Sequence, residues 1–398
     1  MKKLDTTAER TALWRALHLE IDHPPLIVKD LWALKLTRPA PGWQQRPDMK
    51  FTKPIRASIV GRARFVEDQV IKAHEGEQAI NQYVILGAGL DSFALRYQPE
   101  KQTSLLQIYE IDQPGTLQWK AACIKEQIRD IPAHLHLIPM DFEAAMRSAE
   151  ALKENQNRKE PNRDPGKKTA GLSTPRKAPK NWLEALTAST GTSGTGTDSP
   201  DTNGINNGPE ASIHSHSLHF PLKPHLKHTV KQKTQDRSGA AHSSAHPEDQ
   251  SGMAQQPPAV LPSRQQSAAL PFDLQKPAII SCTGVTLYLS LTAIKDMLHL
   301  IANSFAANSL AIISFYEPAE ALEGQDRKLL EISIAGAAAS GTPMVSFFKE
   351  SEVAALAAEA GLKQARIFNT QDLINLYFNA RTDDLIPNKG ELFLVAST

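Results

Sequence analysis

The segment YVILGAGLDSFALR most restricts the fold: the apolar run Tyr83 to Leu86 stops at Gly87-Ala88-Gly89 and passes at once into a helical pattern. A short apolar run closed by glycine reads as a buried strand. Glycines at its end let the backbone approach a ligand closely, or simply close a strand-to-helix junction. The residues that follow bear on the choice of ligand. A dinucleotide site wants a third glycine at position 92, under a pyrophosphate at the helix N-terminus, but Ser92 stands there and Asp91 brings negative charge toward that phosphate. A phosphate-free, cationic ligand suits the turn better.

Further apolar runs repeat the pattern. Leu105 to Ile111 ends in Asp112-Gln113-Pro114-Gly115, and Leu135 to Pro139 ends in Met140-Asp141. Ala278 to Ser281, Leu310 to Phe315 and the tail ELFLVAS read as strands, and Ile55 to Ala73, Leu291 to Ala302 and Glu352 to Ala360 carry helical patterns. Strands alternating with helices imply an α/β fold: a mainly parallel sheet, helices on both faces, and ligands beyond the carboxyl ends of the strands.

Between about Arg147 and Leu270 the composition turns to Pro, Gly, Ser, Thr, Asn, Gln, Lys and His, which cannot bury a core. The expected organisation is a helical N-terminal cap over 1–75, a first half of the core over 76–146, a long disordered insertion over 147–270, and a second half over 271–398. Within the insertion only Trp182, Leu183, Ala185 and Leu186 keep an apolar spacing, read as a short helix between disordered runs. His214, His216, His219, His225 and His228 lack acid or cysteine partners, so no metal is assigned. The basic run from Lys153 to Lys180 reads as solvated linker charge.

A formal charge of +1 over 398 residues does not indicate nucleic acid as a partner. The two cysteines, Cys123 and Cys282, stand outside any disulfide or zinc spacing. No signal peptide and no apolar run of membrane-spanning length is read, which predicts a cytoplasmic protein with no membrane partner.

Two acids stand near the second strand's end. Asp112 can accept hydrogen bonds from both hydroxyls of a ribose, or act as a turn aspartate before Pro114. Glu110, two residues earlier on the same face, is the reserve candidate. Asp141 ends the third strand, where it can accept a hydrogen bond from an adenine amino group, cap the helix that follows, or do both.

These residues resemble a known family. GRARFVEDQV, NQYVILGAGLDSFALR, IYEIDQPGTLQWK, IPMDF, CTGVTLYLSLTAIKDML, SGTPMVSFFKESEVAALAAEAGL and YFNARTDDL look like successive motifs of the leucine carboxyl methyltransferase-like family of class I S-adenosylmethionine-dependent methyltransferases. The resemblance runs along the chain except for about residues 147 to 270. It implies a Rossmann-like fold with seven strands, the last antiparallel, and S-adenosylmethionine as cofactor. It places the arginine that meets the cofactor carboxylate on Arg62, with Arg64 the near alternative. Those two side chains lie about 200° apart on a helix, so one faces in, and a bidentate guanidinium contact explains the choice of arginine. Gly87, Gly89 and Asp91 match the glycine turn, Asp112 the ribose acid, and Asp141 with Phe142 the adenine end. Tyr288 matches a tyrosine that lines the acceptor pocket or belongs to the core.

The match departs at the fourth strand. Bacterial members usually carry Trp-Leu before Gly-Val-Thr, and this chain has Ser281-Cys282-Thr283 before Gly284. Eukaryotic relatives place a glutamate at that strand end to meet the cofactor amino group, and no acid stands here, leaving backbone carbonyls for the task. The resemblance implies methyl transfer to a carboxylate or hydroxyl of a small molecule or a protein terminus. The competing expectation is a non-catalytic protein that keeps the fold and recruits partners through its insertion.

Overall fold

The computed structural model describes residues 6–50, 52–97, 105–141, 183 and 271–398. The chain divides into two units, Met1–Gly194 with Gln266–Thr398, and Thr195–Gln265. The second lies outside the described residues, as do Phe142, the insertion apart from Leu183, and its five histidines.

The first unit is built on β1 (Gln82–Leu86), β2 (Gln107–Asp112), β3 (Leu135–Pro139), β4 (Ile279–Cys282), β5 (Leu310–Tyr316), β6 (Lys363–Phe368) and β7 (Glu391–Ser397). Every residue of β1 is buried. Alternate side chains of a strand face opposite ways, so Tyr83 and Ile85 enter one apolar layer while Val84 and Leu86 enter the other. A strand covered on both faces has no side that must be polar, hence the unbroken run.

The strands form one sheet in the order β3-β2-β1-β4-β5-β7-β6. Neighbours from β3 through β5 are parallel, while β7 runs antiparallel to both β5 and β6. The expected seven-stranded, mainly parallel sheet with a reversed last strand is the one observed. From β1 the chain steps outward to β2 and β3, whereas β4 and β5 build on β1's other side. The order therefore reverses between β1 and β4, and a crevice opens beyond their carboxyl ends.

The helices are α1 (Thr6–Ile21), α2 (Ala33–Thr37), α3 (Lys53–Glu75), α4 (Phe93–Arg96), α5 (Pro114–Ile128), α6 (Leu291–Ser304), α7 (Gly324–Ala339), α8 (Glu350–Ala360) and α9 (Thr370–Leu373). On α6, Ile294, Met297, Leu298 and Ile301 are buried, and on α8, Val353, Leu356, Ala357 and Ala360. Both sets have the i, i+3, i+4, i+7 spacing that puts one stripe on the sheet. Ser290 caps α6 by accepting from Ala293 N at 3.1 Å. On the sheet's other face α3 contributes Val66 and Val70, and α5 Cys123 and Ile124.

Two elements differ from the sequence expectation. Strand β6 leaves no signal in the sequence, because it is an edge strand whose first four residues, Lys363 to Arg366, are exposed and need no apolar run. Leu183, expected in a helix stranded within the insertion, is helical but 7 % exposed and packed in the main core with Tyr109, Phe272 and Met297. Among the described residues no helix is long and apolar enough to cross a membrane.

Candidate functional site

A cavity of about 250 Å³ occupies the crevice beyond β1 and β4. Gly87 makes this junction possible. Its φ is +74°, and a Cβ there would stand 2.4 Å from Val285 Cγ2, so no larger residue lets the ends of β1 and β4 come this close. The turn is tied to β2 by Gly87 N and Ala88 N, which both donate to Ile111 O, at 2.9 and 3.2 Å.

Asp112 ends β2 and lines the cavity. Its Oδ2 accepts from Gly89 N and its Oδ1 from Gln113 N, both at 2.7 Å. Two backbone donors fix the plane of the carboxylate at the cavity wall. Asp141, just past β3, is exposed and also lines the cavity. Met140 N donates to Asp112 O at 2.8 Å, joining the two strand ends. Asp91 lines the cavity too, and its Oδ1 accepts from Phe93 N at 2.8 Å in the first turn of α4.

Arg62, Gly87, Gly89, Asp91, Asp112, Asp141 and Tyr288 are thus brought to one cavity, and Arg64 and Glu110 are not. Arg64 pairs with Asp68 one turn along α3 at 2.8 Å, its side chain 48 % exposed. Glu110 points to the face of the sheet that α5 covers. It is fully buried against Lys120, whose Nζ also donates to Asp91 O at 2.5 Å. Burial outweighs the lysine and pushes the Glu110 carboxyl up to about 7. Two acids two residues apart on one strand therefore do different work: Asp112 stands at the carboxyl end of β2 beside the cavity, and Glu110 lies within the sheet against Lys120.

Arg62 is already engaged. Its Nε lies 2.7 Å from Glu391 Oε1, and its Nη2 donates to Glu391 Oε2 at 3.0 Å and to the Tyr316 hydroxyl. Burial works against the cation, but the Glu391 carboxylate more than offsets it and raises the pKa. Part of the guanidinium expected to meet a ligand carboxylate is thus engaged from within, Nη2 by hydrogen bonds and Nε at ion-pair distance only. Nη1 is the atom that approaches β4, 2.8 Å from where a Cβ would stand on Gly284 (φ +72°). At the altered end of β4, Cys282 is buried in the core, with its thiol pushed up to about 12, while Thr283 lines the cavity.

Sequence reasoning missed Tyr316 and Glu391. The only trace of Glu391 was an acid heading an otherwise apolar final strand. It also missed the roof, where Ala8, Thr11 and Arg15 of α1 line the cavity. Arg15 is held by Asp30 at 2.7 Å and donates to Leu90 O at 2.7 Å. Nothing in the spacing of α1 marks those residues. Among the described residues no cluster of His, Cys, Asp and Glu could hold a metal ion.

Residues 8–163 match the family model described as leucine carboxyl methyltransferase. The Bacillus subtilis (strain 168) protein named "Putative S-adenosyl-L-methionine-dependent methyltransferase YktD" is 42% identical over 94 residues, 24% of this chain and 30% of its own. A similarly named protein of Mycolicibacterium paratuberculosis is 34% identical over 127 residues, 30% of this chain and 37% of its own. The matches thus span about a third of these curated relatives' lengths. Among solved structures, a DUF574 family protein from Streptomyces avermitilis is 9% identical with a TM-score of 0.42, covering 98% of this chain and 96% of that one. Residues 8–163 are thus similar to the leucine carboxyl methyltransferase family, and the shorter stretches matched in the two curated relatives are similar to proteins named as S-adenosyl-L-methionine-dependent methyltransferases.

Proposed function

We propose that the cavity binds S-adenosylmethionine and that the protein transfers its methyl group to an oxygen acceptor, a carboxylate by preference. The observation that carries this reading is Asp112, oriented by two backbone amides at the carboxyl end of β2 and facing the cavity. A carboxylate so held suits the paired hydroxyls of a ribose. The names of the two curated relatives point to the same cofactor.

The donor set fits the rest of that molecule. Asp141 stands where an adenine amino group can be met, the glycine turn admits close approach, and Arg62 offers Nη1 to a carboxylate. With no acid from Ser281 to Gly284, backbone carbonyls are left for the amino group. When bound, S-adenosylmethionine supplies an electrophilic methyl group on a positively charged sulfonium. The chain's contribution is alignment and exclusion of water. Charge is dispersed in such a transfer, so a dry, pre-shaped cavity helps. The roof from α1 and the apolar lining of Ile59, Val66, Ile85 and Phe93 serve that end.

A carboxylate acceptor is ionised near neutral pH and requires no base. Among the described lining residues there is no His, Lys or Cys, and Glu67 is engaged by Arg96. Tyr288 borders the space left for the acceptor, whether a small molecule or a protein terminus. The test has two stages. Calorimetry should give binding of S-adenosylhomocysteine and S-adenosylmethionine and none of NAD; no binding of either would remove the cofactor. Incubation with methyl-labelled S-adenosylmethionine and a cell extract, followed by mild base, should release volatile labelled methanol. Label that survives base would replace the ester with an ether or amine product. Tight binding without any transfer would favour the non-catalytic alternative.

A further inference from the structure

Tyr316 and Glu391 are directly opposed in the antiparallel ladder of β5 and β7, which sets their side chains side by side. Both meet Arg62, which reaches them from α3. The Tyr316 hydroxyl accepts from Arg62 Nη2 and donates to Glu391 Oε1 at 3.2 Å, closing a triangle of three side chains. The Arg62 side chain is 16 % exposed and that of Glu391 6 %. A sheet gains nothing in stability from an ion pair at such a place, since apolar residues of similar volume commonly serve as well or better. The chain nonetheless begins the apolar run LFLVAS with a glutamate and leaves position 284 without a side chain where Nη1 passes.

We infer that Glu391 and Tyr316 are positioning residues for Arg62: they hold its Nη2 by hydrogen bonds and its Nε at ion-pair distance, leave Nη1 beside Gly284 at the cavity, and so set how firmly the site holds the carboxylate of an amino-acid-bearing nucleoside. The inference rests on the proposed reading of the cavity as an S-adenosylmethionine site. It assigns the specificity for the amino-acid end to a pair that need not touch the ligand, while Asp112 and Asp141 serve the nucleoside end.

The two ends can be separated with two probes, S-adenosylhomocysteine, which carries the amino-acid carboxylate, and 5′-methylthioadenosine, which lacks it. Calorimetry on the full chain should show wild type binding both. Glu391→Gln should weaken S-adenosylhomocysteine about tenfold and Tyr316→Phe about threefold, with 5′-methylthioadenosine held within twofold in each. Near-UV circular dichroism reports whether each variant has folded. If Glu391→Gln does not fold, Tyr316→Phe, which removes one hydroxyl, decides alone. Unchanged affinity for S-adenosylhomocysteine, tighter binding of it, or loss of both ligands together would each overturn the positioning role. Wild type that binds neither probe would overturn the cofactor reading itself, a result distinct from any of these.

Discussion

The cavity has two rims assembled by different routes. At the carboxyl ends of β1 to β3 the rim is made of Gly87, Gly89, Asp91 and Asp112, where Gly89 is joined to Asp112, 23 positions apart. On the β4 side it is made of Gly284 and Arg62, and Arg62 is held by Tyr316 and Glu391, at the ends of β5 and β7, across 254 and 329 positions. The near rim works through backbone amides and missing side chains. The far rim works through a buried charge and its counter-charge. A short stretch of chain can specify the first kind of device unaided, but the second exists only when the whole sheet is in register.

The largest effect should come from cutting into the near rim. Asp112→Ala is expected to weaken S-adenosylhomocysteine by about 3 kcal/mol, near a hundredfold, because two charge-assisted hydrogen bonds are lost. The two backbone amides left without that carboxylate should also lower the unfolding midpoint, and an unaltered dissociation constant would take this rim out of ligand binding. Next comes a place where the β1 and β4 sides touch. Gly87→Ala puts a Cβ into Val285 and an L-residue at φ +74°, which should destabilise the fold by about 2 to 3 kcal/mol in urea unfolding. Adding Val285→Ala should restore only the steric part. Full recovery would mean that the positive φ costs nothing.

Glu110 sharpens the contrast on a single strand. Its folded carboxyl, near 7, lies above its ordinary value of 4.5, so between those values the unfolded chain releases a proton that the folded chain keeps. Glu110 therefore adds stability that is fully present below about pH 4.5 and is lost as pH rises to about 7. The change is on the order of 3 kcal/mol. Replacing it by Gln should flatten the pH dependence of the unfolding midpoint across this window while leaving ligand affinity near wild type. A slope identical to wild type would show that the carboxyl is ionised throughout. Smallest is Arg64→Ala, which breaks an exposed pair within one helix turn and should shift stability and S-adenosylhomocysteine affinity by less than about 0.5 kcal/mol. A tenfold loss of affinity would restore Arg64 to the site.

What could be read from the sequence follows the same division. Buried strands β1 and β7 and the stripes of α6 and α8 stood out because full or one-sided burial imposes an apolar period. The glycine turn, Asp112 and Asp141 stood out because they end such runs. The Arg62 and Arg64 alternatives needed helix rotation about neighbours that spacing does not reveal, and the structure turns only Arg62 inward. Strand β6 was silent for want of apolar residues at an edge. Glu391 could be seen as an acid heading an apolar strand, but its partner could not, since nothing local links it to a residue 329 positions away. Leu183 shows the converse: an apolar fragment in polar surroundings is worth following into the core.

The pairing of β1 with β4 has a consequence in time as well as space. Gln82 grips the start of the second half through Asp273 O, 191 positions on, and Tyr83 meets Ser281 across 198. Contacts of such long sequence separation form slowly, because a large loop must close before they repay its entropy. On the ribosome, where chains emerge at about 5 to 20 residues per second, β1, β2 and β3 are all complete well before β4 exists. During that interval β1 offers an unsatisfied edge and a half-built cavity. Of all steps in the protein's maturation, the arrival of β4 should be the one most open to chaperone capture or misassembly.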